Sequence, residues 1–330
     1  MKEQEPEEKI SRRRFLGRAL KAGASIALAG GLGTLLYDSR GPSDAEKRRI
    51  VTLPDFSIAN LAGKMAVVSG ADRKKTLAKA IEALGGIGAF IKKGDRVLLK
   101  VNAAFATPPL LCATTHPEIV REMISLCLKA GASEVRVTDN PINDPSSCFQ
   151  LTGIREATES AGGKLVLPKE NYFLPTTVKG GELIKNWPLL FMPFDGITKL
   201  IGMAPVKDHH RSGASMSMKN WYGLLGGRRN TFHQDIHNII KELAMMVRPT
   251  LVILDGTFTM MTNGPTGGAV SDLKPTNIMI ASTDQVAADA FGATLLGRKI
   301  TDLPFIAKAA EMGLGTMDFE SLSPAKLAID

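Results

Sequence analysis

Between Lys64 and Leu167 the chain alternates short apolar runs with amphipathic stretches, and this rhythm constrains the fold more than any other feature. Met65–Val68 reads as a strand and Lys74–Leu84 as a helix. Arg96–Val101 is a second strand, entered through the turn at Gly94-Asp95. Pro117–Ala130 reads as a helix with Thr115 as its cap and Pro117 in its first turn. Val135–Asp139 is a strand, a helix follows near Ile154–Ser160, and Lys164–Leu167 is another strand. A βαβαβ order of this kind predicts an α/β fold, mainly a parallel β-sheet with helices on both faces. Asn171–Ile201, broken by Gly180-Gly181, Pro188 and Pro193, reads as an irregular β-rich insert. A helix is expected over Thr231–Met246. Leu251–Asp255 reads as a buried strand, Asn277–Ala281 as a further strand, and Asp284–Leu296 and Leu303–Met312 as helices.

The N-terminus has a different character. Ser11-Arg12-Arg13-Arg14-Phe15-Leu16-Gly17 precedes an uncharged, Gly- and Ala-rich run from Ala22 to Tyr37. Paired arginines, then Phe-Leu, then a mild apolar segment form a twin-arginine export signal. The expected organisation is a signal or anchor over 1–37, a linker over 38–63 and one α/β domain over 64–330. The twin-arginine (Tat) translocase is then a partner during export, and the address is the periplasm. The apolar run is shorter than the roughly 20 residues of a spanning helix. Ala27-Leu28-Ala29 is a candidate cleavage site, and retention at the inner membrane by an uncleaved signal is the alternative.

Of the net charge of +8, the segment through Tyr37 supplies a surplus of three positive charges. The remainder is too small to argue for nucleic acid and suits anionic ligands. The three cysteines, Cys112, Cys127 and Cys148, form no Cys-x-x-Cys, so no iron–sulfur cluster is expected on this chain. Cys127 reads as core. A Cys112–Cys148 bridge is a weak candidate.

Polar residues gather between Pro205 and His237: Lys207, Asp208, His209, His210, Arg211, Lys219, Asn220, Arg228, Arg229, His233 and His237, with small residues between them. Such a loop can approach a ligand closely and give charge-assisted hydrogen bonds to carboxylate or phosphate. A solvated basic loop is the competing reading. His233 and His237 are four apart, which is metal-ligand spacing on a helix, but Gln234 stands where a zinc-protease motif has Glu. No particular metal or cofactor is indicated. Lys100 and Asn102, Asp139, and Asp255 lie at the ends of three strands, where open α/β sheets collect ligands. Gly264-Pro265-Thr266-Gly267-Gly268 lacks the lysine and spacing of a P-loop.

Lys100-Val101-Asn102, Thr115-His116-Pro117-Glu118, Pro205-Val206-Lys207-Asp208-His209, Met218-Lys219-Asn220-Trp221-Tyr222-Gly223 and Leu254-Asp255-Gly256 occur in that order. Together they resemble the prokaryotic family catalogued as domain of unknown function 362, over roughly residues 64–300. Some relatives carry a ferredoxin-like domain with two four-iron clusters, whose cysteines this chain lacks. The expected site gathers Lys207, His209 and Lys219 as catalytic groups, with Lys100, Asn102, Asn220 and Asp255 binding substrate. A lysine buried among cations can act as a base, and His209 titrates near neutrality. The leading expectation is an exported enzyme acting on a small anionic substrate by proton transfer, as an isomerase or lyase would. The alternative is an accessory or binding protein for an iron–sulfur or other redox partner subunit.

Overall fold

The computed structural model describes residues 12–36 and 50–329, which fall into two units. The first is a single helix, Arg12–Leu36. No helix among the described residues is long and apolar enough to cross a membrane. Ser11, Tyr37 and residues 38–49 of the expected linker lie outside the described residues. Its last part does not behave as a linker: Val51, Leu53 and Phe56 are buried in the core, and Val51 N donates to Pro175 O. The packed body therefore begins well before Lys64.

That body is built on an eight-stranded sheet. Its strands are β1 (Met65–Ser69), β2 (Arg96–Lys100), β3 (Glu134–Thr138), β4 (Lys164–Leu165), β7 (Lys199–Lys207), β8 (Leu251–Met260), β9 (Leu273–Ser282) and β10 (Ala325–Ala328); β5 (Phe173–Thr176) and β6 (Trp187–Leu190) form a separate antiparallel pair. The order across the main sheet is β10-β1-β9-β8-β7-β2-β3-β4. Pairing is parallel except where β9 meets β1 and β8. The fold is α/β with a mostly parallel sheet, and the short β5–β6 hairpin lies within the β-rich insert.

Both faces of the sheet are covered, which is why the central strands are apolar at successive positions. Val97, Leu99, Ile201 and Ile253 face a core that includes Ile119 and Met123 of the helix Pro117–Lys129. Leu98, Leu200, Val252 and Leu254 face the opposite core, with Trp221 and with Ile240 and Leu243 of the helix Ile236–Met246. Each such side chain contributes roughly 1.5–3 kcal/mol by leaving water.

Several sequence expectations are corrected. The insert ends at β7, a central strand hidden by Gly202 and Pro205. Gly202 is required there because a Cβ would lie 2.5 Å from the Trp221 ring. A helix at Pro145–Leu151 precedes Ile154–Ser160. Thr115 does not cap the helix Pro117–Lys129; the His116 side chain does, accepting from Glu118 N. The expected helix Thr231–Met246 is a 3-10 segment, Arg229–Asp235, followed by the α-helix Ile236–Met246. All three cysteines are free and buried, so the Cys112–Cys148 bridge is absent.

Candidate functional site

Strands β3, β2 and β7 are adjacent and parallel, so the residues that end them meet at one edge. Lys100 ends β2, Asp139 follows β3 and Lys207 ends β7. The chain then folds back over this edge: Ser215 pairs with Lys207, and a short helical turn, Ser217–Asn220, delivers Lys219 and Asn220. Asp289, wholly buried on the helix Gln285–Leu295, fixes that turn by accepting from Ser217 N at 2.7 Å and Met218 N at 3.1 Å.

The result is a cleft of about 1410 Å³. Asn102, Lys207, His209, Lys219 and Asn220 line it, together with Phe105, Tyr222 and the loop Asn263–Gly268. Lys100 lies beneath it. Its Nζ is 2.7 Å from Asp139 Oδ1 and donates to Val101 O at 2.6 Å and Asn220 Oδ1 at 3.1 Å. Burial lowers the pKa of Lys100, and Asp139 opposes that shift. Asn220 Nδ2 donates to Lys100 O and Met203 O, tying β2 to β7. Lys100 and Asn220, expected to bind substrate, are thus engaged within the protein. Gly223 seals this floor: a Cβ there would overlap Asp139 Oδ1 and lie 2.9 Å from Lys100 Nζ.

Lys207 and Lys219 differ from Lys100. Lys207 donates to two neutral carbonyls, Ala113 O and Pro265 O. Lys219 has no hydrogen bond or ion pair among the described residues; its Nζ lies 5.1 Å from the centre of the Tyr222 ring. Burial pushes Lys207 down to about 7, aided by the charge of Lys219. Burial also takes Lys219 to about 7, aided by Arg229. Arg229 is a fixed charge, because its guanidinium donates to the carbonyls of Asn140, Pro141, Tyr222 and Leu225. Among the described residues, the only carboxylate lining the cleft, Asp139, is paired with Lys100. The cleft carries an uncompensated positive field suited to an anion.

His209 takes a different role from the one expected. Its Nδ1 accepts from Arg211 N and Ser212 N at 3.2 and 3.3 Å, so the neutral ring carries its proton on Nε2. Burial and the neighbouring cations hold its pKa far below neutrality. At pH 7 it is a neutral donor, with little capacity as a base. It stacks between His210 and His233, at 5.0 and 5.8 Å between ring centres. His233 Nδ1 contacts Tyr222 Oη at 3.0 Å, whereas His237 stacks on Phe305. The change from 3-10 to α-helix separates the two, and no group of three or more His, Cys, Asp or Glu among the described residues is arranged to hold a metal. Asp255 is not part of the cleft; it pairs with Arg73 at 2.8 Å.

The Asn102 backbone is fixed at both polar atoms: its N donates to Thr115 Oγ1 and its O accepts from Thr115 N. Its carboxamide makes no hydrogen bond to the described residues, and its buried Oδ1 is unpartnered. Sequence reasoning missed the Asn263–Gly268 wall, Tyr222 and Asp289. The signal for Asp289 was a single acid within Val286–Ala293, a stretch otherwise of small and apolar residues.

Fold and cleft define an α/β protein with a cationic pocket at the carboxyl edge of its sheet. The chain belongs to the family described as Domain of unknown function (DUF362), matched over residues 97–294, which contain every lysine of the site. A thylakoid-associated protein of Synechocystis sp. is 26% identical over 272 residues, covering 77% of this chain and 81% of that protein. Among solved structures, the lactate racemase apoprotein of Thermoanaerobacterium thermosaccharolyticum matches with a TM-score of 0.38 and 11% identity, over 74% of this chain. A Thermotoga maritima protein matches with a TM-score of 0.34 and 13% identity, over 72% of this chain. The chain spans 58% and 57% of those two structures.

Proposed function

We propose that this chain is an enzyme that holds a small anionic substrate in the cleft and moves a proton beside the anionic group, as an isomerase or lyase does. One observation carries the reading: Lys207 and Lys219 are both buried on one cleft, and neither has a carboxylate partner. With pKa values of about 7, each is shared between ammonium and amine at neutral pH, the condition for moving protons in either direction. His209 Nε2–H and the Asn102 carboxamide are neutral groups that orient the substrate or stabilise an oxyanion. Lys100, Asp139 and Asn220 hold the floor in place.

The test is calorimetric titration of wild type and Lys219→Ala with short carboxylates and phosphates, alongside solvent deuterium incorporation followed by NMR. A charge-assisted contact is worth roughly 1.5–3 kcal/mol, so the variant should bind about tenfold or more weakly. If no anion binds the wild type, the reading fails and an accessory role beside a redox partner takes its place.

The proposal includes export by the twin-arginine route. It rests on Arg12-Arg13 at the start of the N-terminal helix. Replacing both arginines with Lys should keep the protein in the cytoplasm on cell fractionation. Undiminished periplasmic protein would contradict export.

A further inference from the structure

Two lysines line the cleft, and they are not equivalent. Lys207 is held by two carbonyl acceptors, so its Nζ has a fixed direction and works best as a stationary proton carrier. Lys219 has no polar partner and projects into a cleft of about 1410 Å³. An amine in that position has an unobstructed lone pair and room for a new substituent. The Tyr222 ring, 5.1 Å from Nζ, can stabilise a cation at that point whether it is an ammonium or an iminium. Phe105, 5.2 Å from Lys207 Nζ, adds an apolar side to the cleft beside the second lysine.

We propose that Lys219 is a covalent nucleophile that forms an imine with an anion bearing a carbonyl group, a 2-oxo acid or its equivalent. This rests on the anionic-substrate reading and assigns the two lysines separate roles. The Nζ lone pair adds to the carbonyl carbon as the C=O π pair moves to oxygen, which takes a proton from the Lys207 ammonium. Nζ returns a proton to the Lys207 amine to leave a neutral carbinolamine. The Lys207 ammonium then protonates the hydroxyl, which leaves as water while the nitrogen lone pair closes the C=N bond, giving the protonated iminium and a neutral Lys207 amine. Amine, carbonyl and one proton from Lys207 become iminium and water, with no oxidant or reductant required. The iminium draws electrons from the adjoining carbon, so its proton becomes removable by the neutral amine of Lys207.

The test uses the full chain, 2-oxobutanoate and borohydride, which reduces an iminium to a stable secondary amine. Peptide mass mapping should then place a 1-carboxypropyl group on Lys219. At neutral pH an exposed lysine is almost wholly protonated, so labelling at Lys219 should be faster than at exposed lysines by about a hundredfold or more. Excess 2-hydroxybutanoate, an anion without a carbonyl, should compete. Butanal, a carbonyl without a charge, should label Lys219 far less. Lys219→Met should lose the adduct while keeping the circular dichroism of the wild type. The wild-type mass map decides the matter even if that variant does not fold. Anion binding without a Lys219 adduct, or with adducts only on exposed lysines, overturns the covalent role and leaves the anionic-substrate reading intact. Failure of every anion to bind overturns both.

Discussion

Replacing Lys219 with Met should stabilise the protein, and more strongly as the pH falls. The two side chains have similar length, and the site is buried against Tyr222 and the Ser217–Asn220 turn. Burial holds Lys219 at about 7 against 10.5 for a free lysine. Because the folded pKa is the lower one, the folded state binds this proton less readily than the unfolded state. The resulting destabilisation is complete below about pH 7, fades between about 7 and 10.5, and vanishes above that. The pKa difference corresponds to about 5 kcal/mol, at 1.36 kcal/mol per pH unit. Losing the contact with Tyr222 offsets about 1–2 kcal/mol. The variant should therefore gain about 3 kcal/mol at pH 6, and the gain should disappear by about pH 10. Urea unfolding of both proteins between pH 6 and 10 measures it. A variant that is less stable than wild type at pH 6, or a difference that does not change with pH, would refute the claim that Lys219 is a buried, unpaired cation.

Gly223→Ala should lose about 3–5 kcal/mol in the same assay, because the new methyl displaces Asp139 from Lys100 and leaves a buried charge unpaired; retention of wild-type stability would contradict the floor described here. Asp289→Ala should cost about 2 kcal/mol and weaken anion binding at Lys219, since the Ser217 and Met218 N–H groups lose their acceptor; unchanged affinity would remove its positioning role. In nitrogen-15 NMR, His209 should remain neutral with its proton on Nε2 down to pH 5; titration near 6.5 would restore it as a base.

How far the sequence led depended on how local each signal was. Val97–Leu99, Val135–Val137 and Leu251–Leu254 are unbroken or nearly unbroken apolar runs, and each is a strand. Strand β7 was obscured because Gly202 and Pro205 read as breakers. One makes room for Trp221, and the other lies beside the irregularity in pairing with β8. The basic cluster from Lys207 to His233 was visible as composition, and the structure gathers most of it at one cleft. The partners of its members were not visible. Lys100 meets Asn220 across 120 positions, and Arg73 takes Asp255 across 182. The proton position on His209 depends on two backbone N–H groups that no side-chain pattern announces. His233 and His237 looked paired only under the assumption of one continuous helix.

The central claim is that two buried lysines share protons near neutral pH and receive an anion. Proton uptake on binding tests it most directly. Calorimetric titration with butanoate and with inorganic phosphate, repeated at pH 8 in buffers of different ionisation enthalpy, counts the protons exchanged. An anion stabilises the ammonium forms of Lys207 and Lys219, so binding at pH 8 should take up roughly one proton, falling towards zero at pH 5.5 where both are already charged. Binding at pH 8 with no proton uptake, with proton release, or no binding at all would contradict the account.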